Sequence, residues 1–369
     1  DYLAGDIYQS GYFVTANTLG MLSLSGPEDP NFDSYVMDEF AGGNYDAEEQ
    51  IAAFYAMIVD KLGDDVTLIA GARFESTSIN YTGQVFDEEE DELPSDIGSV
   101  SGGNDYYNIL PNLTLQWDVN DELNLNIAFT QSIARPSYYD LVPYEYSNSD
   151  DQELALGNPD LKSSLSTNFD FMGEWYFGGL SLLSFGYFSK DIKDWIYQYT
   201  TNNYTYAGVD GYELSQLRNG EKASVSGFEL GFQTKFLKNF TFMGNYTSTD
   251  SSTNNVEGRD DVPLTGQVDD MYNLSLAFEN KKFFVRASMN YASEALDELS
   301  GDAYEDRYYD EQTFVDVNAN YKVNDNLSIF AEGKNLTNQP LRYYQGIQQR
   351  TMQIEYYNLS WTVGLKYDF

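Results

Sequence analysis

The chain is 369 residues long and carries 20 Lys+Arg against 59 Asp+Glu, a formal charge of −39, with no cysteine and no histidine. Those two absences exclude a thiol nucleophile, an imidazole base, a His- or Cys-ligated zinc or haem, and a Ser-His-Asp triad; the charge repels polyphosphate, so no nucleic acid is expected as a partner. An aromatic content of 16% is at odds with a disordered acidic chain, and no disulfide framework can form. The longest plain apolar run, Ile51 to Val59, has nine residues, well short of the roughly 18 of a spanning helix. The start at Asp1-Tyr2-Leu3-Ala4 lacks the basic and apolar regions of a secretory signal. At this level the reading is a cytosolic chain or a processed part of something longer.

Residues 1–48, with Gly42-Gly43-Asn44-Tyr45, show little periodicity and read as a loop. After them, period-2 alternation predicts about fourteen strands, near 51–61, 65–83, 105–118, 121–135, 161–176, 180–200, 203–218, 222–236, 238–250, 268–280, 282–296, 310–322, 325–338 and 355–369. The first of these, within Glu49 to Val59, is apolar on both faces and is read as a strand because hairpins follow it. Tyr107, Ile109, Pro111, Leu113, Leu115 and Trp117 alternate with polar residues, and the terminal Tyr357, Leu359, Trp361, Val363, Leu365, Tyr367 and Phe369 do so without a break. Tight turns at Asn120-Asp121-Glu122, Lys238-Asn239, Asn280-Lys281-Lys282 and Asn324-Asp325-Asn326 join one set of strand ends. The other ends lead into long acidic stretches near 84–105, 136–160, 250–267 and 296–311.

Period 2 alone fits a soluble sandwich as well as a membrane barrel. Strand length separates them: many of these runs exceed the roughly 5–6 residues of soluble strands and reach the roughly 9–11 needed to cross a bilayer at a tilt. Short turns on one side, long loops on the other and aromatics at strand ends complete the expectation: an all-β, antiparallel transmembrane β-barrel.

A family resemblance follows from five stretches taken in order: Phe129-Thr130-Gln131-Ser132-Ile133-Ala134-Arg135-Pro136-Ser137-Tyr138, then Leu156-Gly157-Asn158-Pro159-Asp160-Leu161-Lys162, Gly227-Phe228-Glu229-Leu230-Gly231, Gly333-Lys334-Asn335-Leu336-Thr337-Asn338-Gln339-Pro340, and a last strand ending in Phe369. Across residues 50 to 369 the chain resembles the C-terminal part of a TonB-dependent outer-membrane transporter. The resemblance implies a place in the bacterial outer membrane and a 22-strand barrel enclosing a plug. The chain would supply about 14 of those strands, with the plug and first strands absent from it and residues 1–48 an extracellular loop remnant. An open sheet leaves two edges that lipid does not tolerate, so the functional unit should contain more chain. Phe369 matches the terminal aromatic that family members use as a barrel-assembly signal; it would also serve as a girdle aromatic.

Two features bear on chemistry. Acid runs (Asp87 to Glu92, Asp150-Asp151-Gln152-Glu153, and the seven acids between Asp297 and Glu311) could hold a divalent cation or a cationic substrate, but they suit a solvated surface and cation-bridged contact with lipopolysaccharide better. No cofactor is expected. Tyr138, Tyr139, Tyr144, Trp195, Tyr197, Tyr308, Tyr309 and Tyr343, with other loop tyrosines, offer flat faces for sugar rings or a peptide; packing among themselves is the competing role. With 59 carboxylates, a chance acid pair signals nothing, and an enzyme is not expected. The resemblance implies energised import of a scarce nutrient, with the TonB complex acting through the plug and a surface lipoprotein as a possible partner. The acidity and the style of the Ala-Arg-Pro and Asn-Leu-Thr-Asn stretches lean toward oligosaccharide over iron chelate. A passive porin, or a structural or adhesive surface barrel, is the alternative.

Overall fold

The computed structural model describes residues 44–85, 98–149, 151–254 and 256–369. The expectations for residues 1–43 and for the acid run Asp87 to Glu92 lie outside them. In chain order the elements are β1 (Tyr45–Lys61), β2 (Val66–Val85), β3 (Gly98–Asn120), β4 (Leu123–Ala134), the single-turn helix α1 (Tyr138–Leu141), β5 (Glu145–Asn148), β6 (Glu153–Leu156), β7 (Ser164–Phe177), β8 (Ser181–Lys193), β9 (Ile196–Tyr206) and β10 (Val209–Asn219). They continue with β11 (Lys222–Phe236), β12 (Phe240–Asn254), β13 (Asp270–Glu279), β14 (Phe283–Ala292), β15 (Ala295–Ser300), β16 (Arg307–Tyr309), β17 (Gln312–Lys322), β18 (Leu327–Lys334), β19 (Leu341–Gln345), β20 (Thr351–Glu355) and β21 (Ser360–Tyr367).

Thirteen of these form one antiparallel wall in the order β1-β2-β3-β4-β7-β8-β11-β12-β13-β14-β17-β18-β21. The register sorts the alternating residues onto two faces. Leu183, Phe232, Gly244, Leu274 and Met289 lie in one cross-strand row on the outer face. On the other face Asn245, Asn273 and Asn290 are register partners, and Asn273 Nδ2 donates to Asn245 Oδ1 at 2.8 Å. The outer side chains are broadly exposed, Tyr107, Ile109, Leu113, Leu230, Leu274, Val363 and Leu365 among them. Exposed apolar surface on this scale belongs in lipid, not water.

Aromatic pairs bound that apolar belt. Towards the long loops run Phe169–Tyr187, Phe228–Tyr246 and Tyr272–Tyr291; towards the tight turns run Trp175–Phe177, Phe236–Phe240, Phe240–Phe278 and Phe283–Tyr321. On β3 the belt extends from Tyr107 to Trp117, ten residues along a tilted strand, or about 25 Å.

Three of the four tight turns share one device. The Oδ1 atoms of Asn120, Asn280 and Asn324 each accept two backbone N–H groups, from Glu122 and Leu123, Lys282 and Phe283, and Asn326 and Leu327 respectively. An Asx side chain thus replaces ladder partners at the hairpin tip.

Several sequence boundaries shift. β1 begins at Tyr45, inside the stretch read as loop. The segment near 180–200 is not one strand: Asp194 takes φ 51°, the chain turns, and β9 leaves the wall. The candidate strand near 203–218 is likewise split: residues 203–206 end β9, Ala207 (φ 49°) and Gly208 (φ 80°) turn the chain, and β10 pairs with β9 and β6 outside the wall. Alternation specifies a sheet face without specifying which sheet, so wall and loop strands look alike in sequence.

Replacing Asn280 by Ala should lower the stability of the folded protein by about 1 kcal/mol, whereas Asn280→Asp, which keeps the acceptor, should cost less. Urea unfolding in lipid vesicles measures both.

Candidate functional site

On the long-loop side the chain does not form loose loops. The excursions between wall strands build a second, eight-stranded sheet in the order β20-β19-β16-β15-β9-β10-β6-β5. Two short parallel pairings, β6 with β10 and β9 with β15, stitch together the excursions at residues 135–163, 194–221 and 293–311. Under the sheet lies a core of Trp195, Tyr197, Ala223, Val256, Val262, Leu296 and Leu299. A second cluster packs Leu141, Val142 and Leu161 against Ile79 and Tyr81 of β2.

The stretches singled out in sequence are parts of this construction. Arg135, directly after β4, donates from Nη2 to Glu75 Oε2 at 2.6 Å, lies 3.6 Å through Nε from Glu49 Oε1, and so ties the end of β4 to β2 and β1. A Cβ at Gly157 would sit 1.8 Å from the Val142 carbonyl oxygen, so only glycine fits where that loop doubles back. Asn158 Nδ2 donates to the Leu217 carbonyl, binding the loop to the next excursion. Asn335 takes φ 52°, and its Oδ1 accepts the Gln339 N–H at 2.8 Å, which closes the turn above β18.

The eight aromatic candidates separate into three groups. Tyr139 stacks on Tyr144 at 4.2 Å and lies 5.9 Å from Tyr45, while Tyr138 donates to Glu49 Oε2 at 3.2 Å; Tyr138 and Tyr139 keep about 40% of their surface (42% and 38%) in solvent. Tyr309 packs on Tyr343 and Tyr308 on Tyr344, with centroids 4.8 and 5.2 Å apart. Arg307 covers the Tyr343 ring at 5.4 Å. Trp195 and Tyr197 are a correction to the sequence reading. They are 4% and 5% exposed in the loop-layer core, and Tyr197 Oη donates to Glu257 Oε1 at 2.8 Å, so both pack as core residues and not as exposed loop-tip aromatics. Burial beside that carboxylate also pushes the Tyr197 phenol above its usual range. The first group sits on α1 and just ahead of β5 and the second on β16 and β19, with β15, β9, β10 and β6 between β16 and β5 in the sheet order. The candidates thus fall on separate elements of the loop layer.

Sequence reasoning missed the arginines. Arg259 makes a two-pronged pair with Asp306, at 2.9 and 2.6 Å, and Asp306 is wholly buried. Arg218 binds Glu257 at 2.8 Å and lies 3.9 Å over Tyr199; Arg307 binds Asp297 and Glu298; Arg342 binds Asp310 at 3.0 Å; Arg350 sits 3.8 Å over Tyr304. Except for Arg307 with Asp297 and Glu298, which lie ten and nine residues apart within one excursion, these pairs span different excursions, so the spacing of charges along the chain held no cue to them. Their consequence is electrostatic. The arginines of the loop layer are spent on internal partners, leaving Lys162 as an exposed cation among a larger number of carboxylates.

Where β6 meets β10, Glu153 and Glu213 are register partners, with Glu298 and Arg307 nearby. Desolvation, then Glu298 and Glu153, raise the Glu213 carboxyl above its ordinary range against the opposing pull of Arg307. Among the described residues no group of acids is arranged to hold a metal ion.

An antiparallel wall with an apolar outer belt, two aromatic girdles, tight turns at one end and a folded loop layer at the other defines the class: an outer-membrane β-barrel. Residues 3–336 match the family described as TonB dependent receptor-like, beta-barrel, and the chain belongs to that family. No curated protein sequence matches it. Its fold is similar to those of the ferric-catecholate import receptor Fiu from E. coli K12 (15% identity, TM-score 0.65, 88% of this chain and 45% of that one) and the copper transporter OprC (14%, 0.64, 88% and 48%). The ferric yersiniabactin uptake receptor FyuA from Yersinia pestis is also similar (14%, 0.63, 88% and 46%). The chain spans about half the length of these relatives. Like them it is an outer-membrane protein, as its apolar belt requires.

Two outcomes follow from the loop layer. Asp306→Ala strands the Arg259 guanidinium and should lower the opening free energy of segments 256–262 and 295–300 by about 3 kcal/mol, read by hydrogen exchange. Because the folded-state pKa of Glu213 is raised, its contribution to the β6–β10 seam is present at acidic pH and lost as pH rises through that value. Exchange protection of 153–156, corrected for intrinsic rates, should therefore increase on acidification, and Glu213→Gln should make it independent of pH.

Proposed function

We propose that this chain forms the C-terminal part of the wall, and the substrate-capturing outer layer, of an energised importer that takes a scarce nutrient across the outer membrane. The observation that carries the reading is the outer layer. Its excursions are folded into one sheet on the long-loop side of a family barrel wall. β1 and β21 are the two edges of the wall and, among the described residues, each pairs on one side only. Lipid penalises unpaired backbone by several kcal/mol per group, so further strands should complete the wall, and a plug within it should receive the TonB complex. Phe369, stacked edge-on against Tyr367 at the end of β21, is in place to act as the assembly signal.

For the substrate we infer a neutral or basic molecule, with oligosaccharide favoured. An anionic iron chelate needs available cations, and the loop arginines are engaged with Asp297, Glu298, Asp306, Asp310 and Glu257. The exposed tyrosines at residues 138 and 139, beside Glu49 and Asp140, supply the flat faces and hydrogen-bond acceptors that a glycan uses. Fiu and FyuA import iron chelates by their titles; at 14–15% identity they share the fold with this chain and carry no argument about cargo.

Calorimetry on the intact protein with neutral glycans, basic peptides and ferric chelates tests the substrate class. Glycan binding, weakened about five- to tenfold by Tyr139→Ala, is the expected result; binding of ferric chelates alone would overturn it. Planar-bilayer conductance tests the transport mode. A plugged importer is nearly silent, and a steadily open channel would establish the porin reading instead.

A further inference from the structure

The outer face carries a feature that transport does not use. In the row Leu183, Phe232, Gly244, Leu274 and Met289, four positions are large and one has no side chain. The result is a groove of about 620 Å³ on the membrane face, walled by Phe232, Phe242, Tyr246, Tyr272 and Leu274. A Cβ placed on Gly244 would lie 3.0 Å from Leu274 Cδ2 and 3.4 Å from the Phe242 ring, so the walls lean over the glycine and any larger residue would close the groove.

Position identifies the chemistry of an occupant. The Gly244 row is one pleat repeat below Leu230, Tyr246, Tyr272 and Tyr291, the row that carries the loop-side girdle. It therefore lies in the outer half of the apolar belt and is continuous with the lipid interface, where an acyl chain is the available apolar partner. Just above the girdle, at headgroup level, stand Asp250, Asp270 and Glu311. Tyr246 Oη donates to Asp270 Oδ1 at 2.5 Å and Tyr291 Oη to Glu311 Oε2 at 3.1 Å. Among the described residues none of these three carboxylates has a Lys or Arg partner, unlike Asp297, Asp306 and Asp310 of the loop layer. Neighbouring Asp269, partly desolvated and facing Asp270, Asp250 and Glu294, has its carboxyl pushed above the usual range, a sign of the concentrated negative field there.

We propose that this face binds a lipid with a cationic, amine-bearing headgroup, one acyl chain in the groove at Gly244 and the headgroup against Asp250, Asp270 and Glu311. A phosphorylated anionic headgroup would meet uncompensated like charge at the same place. The assignment is independent of the substrate reading above, since it concerns the lipid-facing side of the wall and none of the loop-layer tyrosines.

Native mass spectrometry of the intact, detergent-purified protein tests it, with dioleoyl-trimethylammonium-propane and dioleoyl-phosphatidylglycerol as probes of matched chains. The cationic lipid should be retained about tenfold more than the anionic one. Gly244→Phe should reduce retention of both. Asp250→Asn combined with Asp270→Asn, both outside the belt and outside any core, should erase the headgroup preference and leave chain binding intact, which keeps the test valid if Gly244→Phe assembles poorly. Equal retention of the two lipids by the parent protein would overturn the proposal. So would preference for the anionic lipid, with or without calcium, or a preference that survives the two Asn substitutions.

Discussion

The wall is governed by one constraint: inside hydrocarbon every backbone N–H and C=O must be paired within the protein. The antiparallel ladder from β1 to β21 satisfies it strand by strand, with each strand supplying a partner to both neighbours except at the two edges. The apolar outer belt is a consequence, because once the ladder stands in lipid its outward side chains must be apolar and its ends must carry amphipathic rings. The Asx-closed turns at Asn120, Asn280 and Asn324 meet the same demand where the ladder reverses. The two edges remain the point at which the constraint is met only by further strands, which is why the wall is read as part of a larger assembly.

Above the membrane the constraint relaxes and a different economy takes over. Water can satisfy loop backbone, yet the excursions still fold into a common sheet. Pairings such as Arg259–Asp306 and the parallel seams β6–β10 and β9–β15 hold together pieces of chain that are remote in sequence. The ion pairs among these contacts engage the layer's arginines. The acidic surplus that remains shapes both proposals, disfavouring anionic cargo above the membrane and favouring a cationic headgroup at its edge.

Fold class was legible in the amino-acid pattern because lipid imposes a strict period of two on long strands, and residues such as Leu113, Trp117, Leu274 and Trp361 obey it. The hairpin tips were legible because Asn and Asp have a specific chemical role there. What could not be read was allegiance. Residues 203–218 alternate as well as any wall strand, but partners chosen by tertiary contact place them in the outer sheet. Of the site candidates, Tyr138 and Tyr139 are exposed as a ligand face requires, whereas Trp195 and Tyr197 are core residues of the loop layer. Sequence shows that an aromatic is present without showing whether its faces are covered. Pairs such as Arg259–Asp306, Arg218–Glu257 and Arg342–Asp310 were invisible for a related reason, since each joins separate excursions and has no local signature.

The central claim is that one face of this wall meets lipid and the other the barrel interior, in the observed register. The chain contains no cysteine, so single-cysteine nitroxide labels can be placed cleanly at neighbouring residues of β13 in the intact, reconstituted protein. The account predicts that labels at Leu274 and Leu276 are accessible to oxygen and shielded from a water-soluble nickel chelate, and that labels at Asn273 and Ser275 lack this lipid signature. Equal accessibility along the strand, or the opposite alternation, would contradict it.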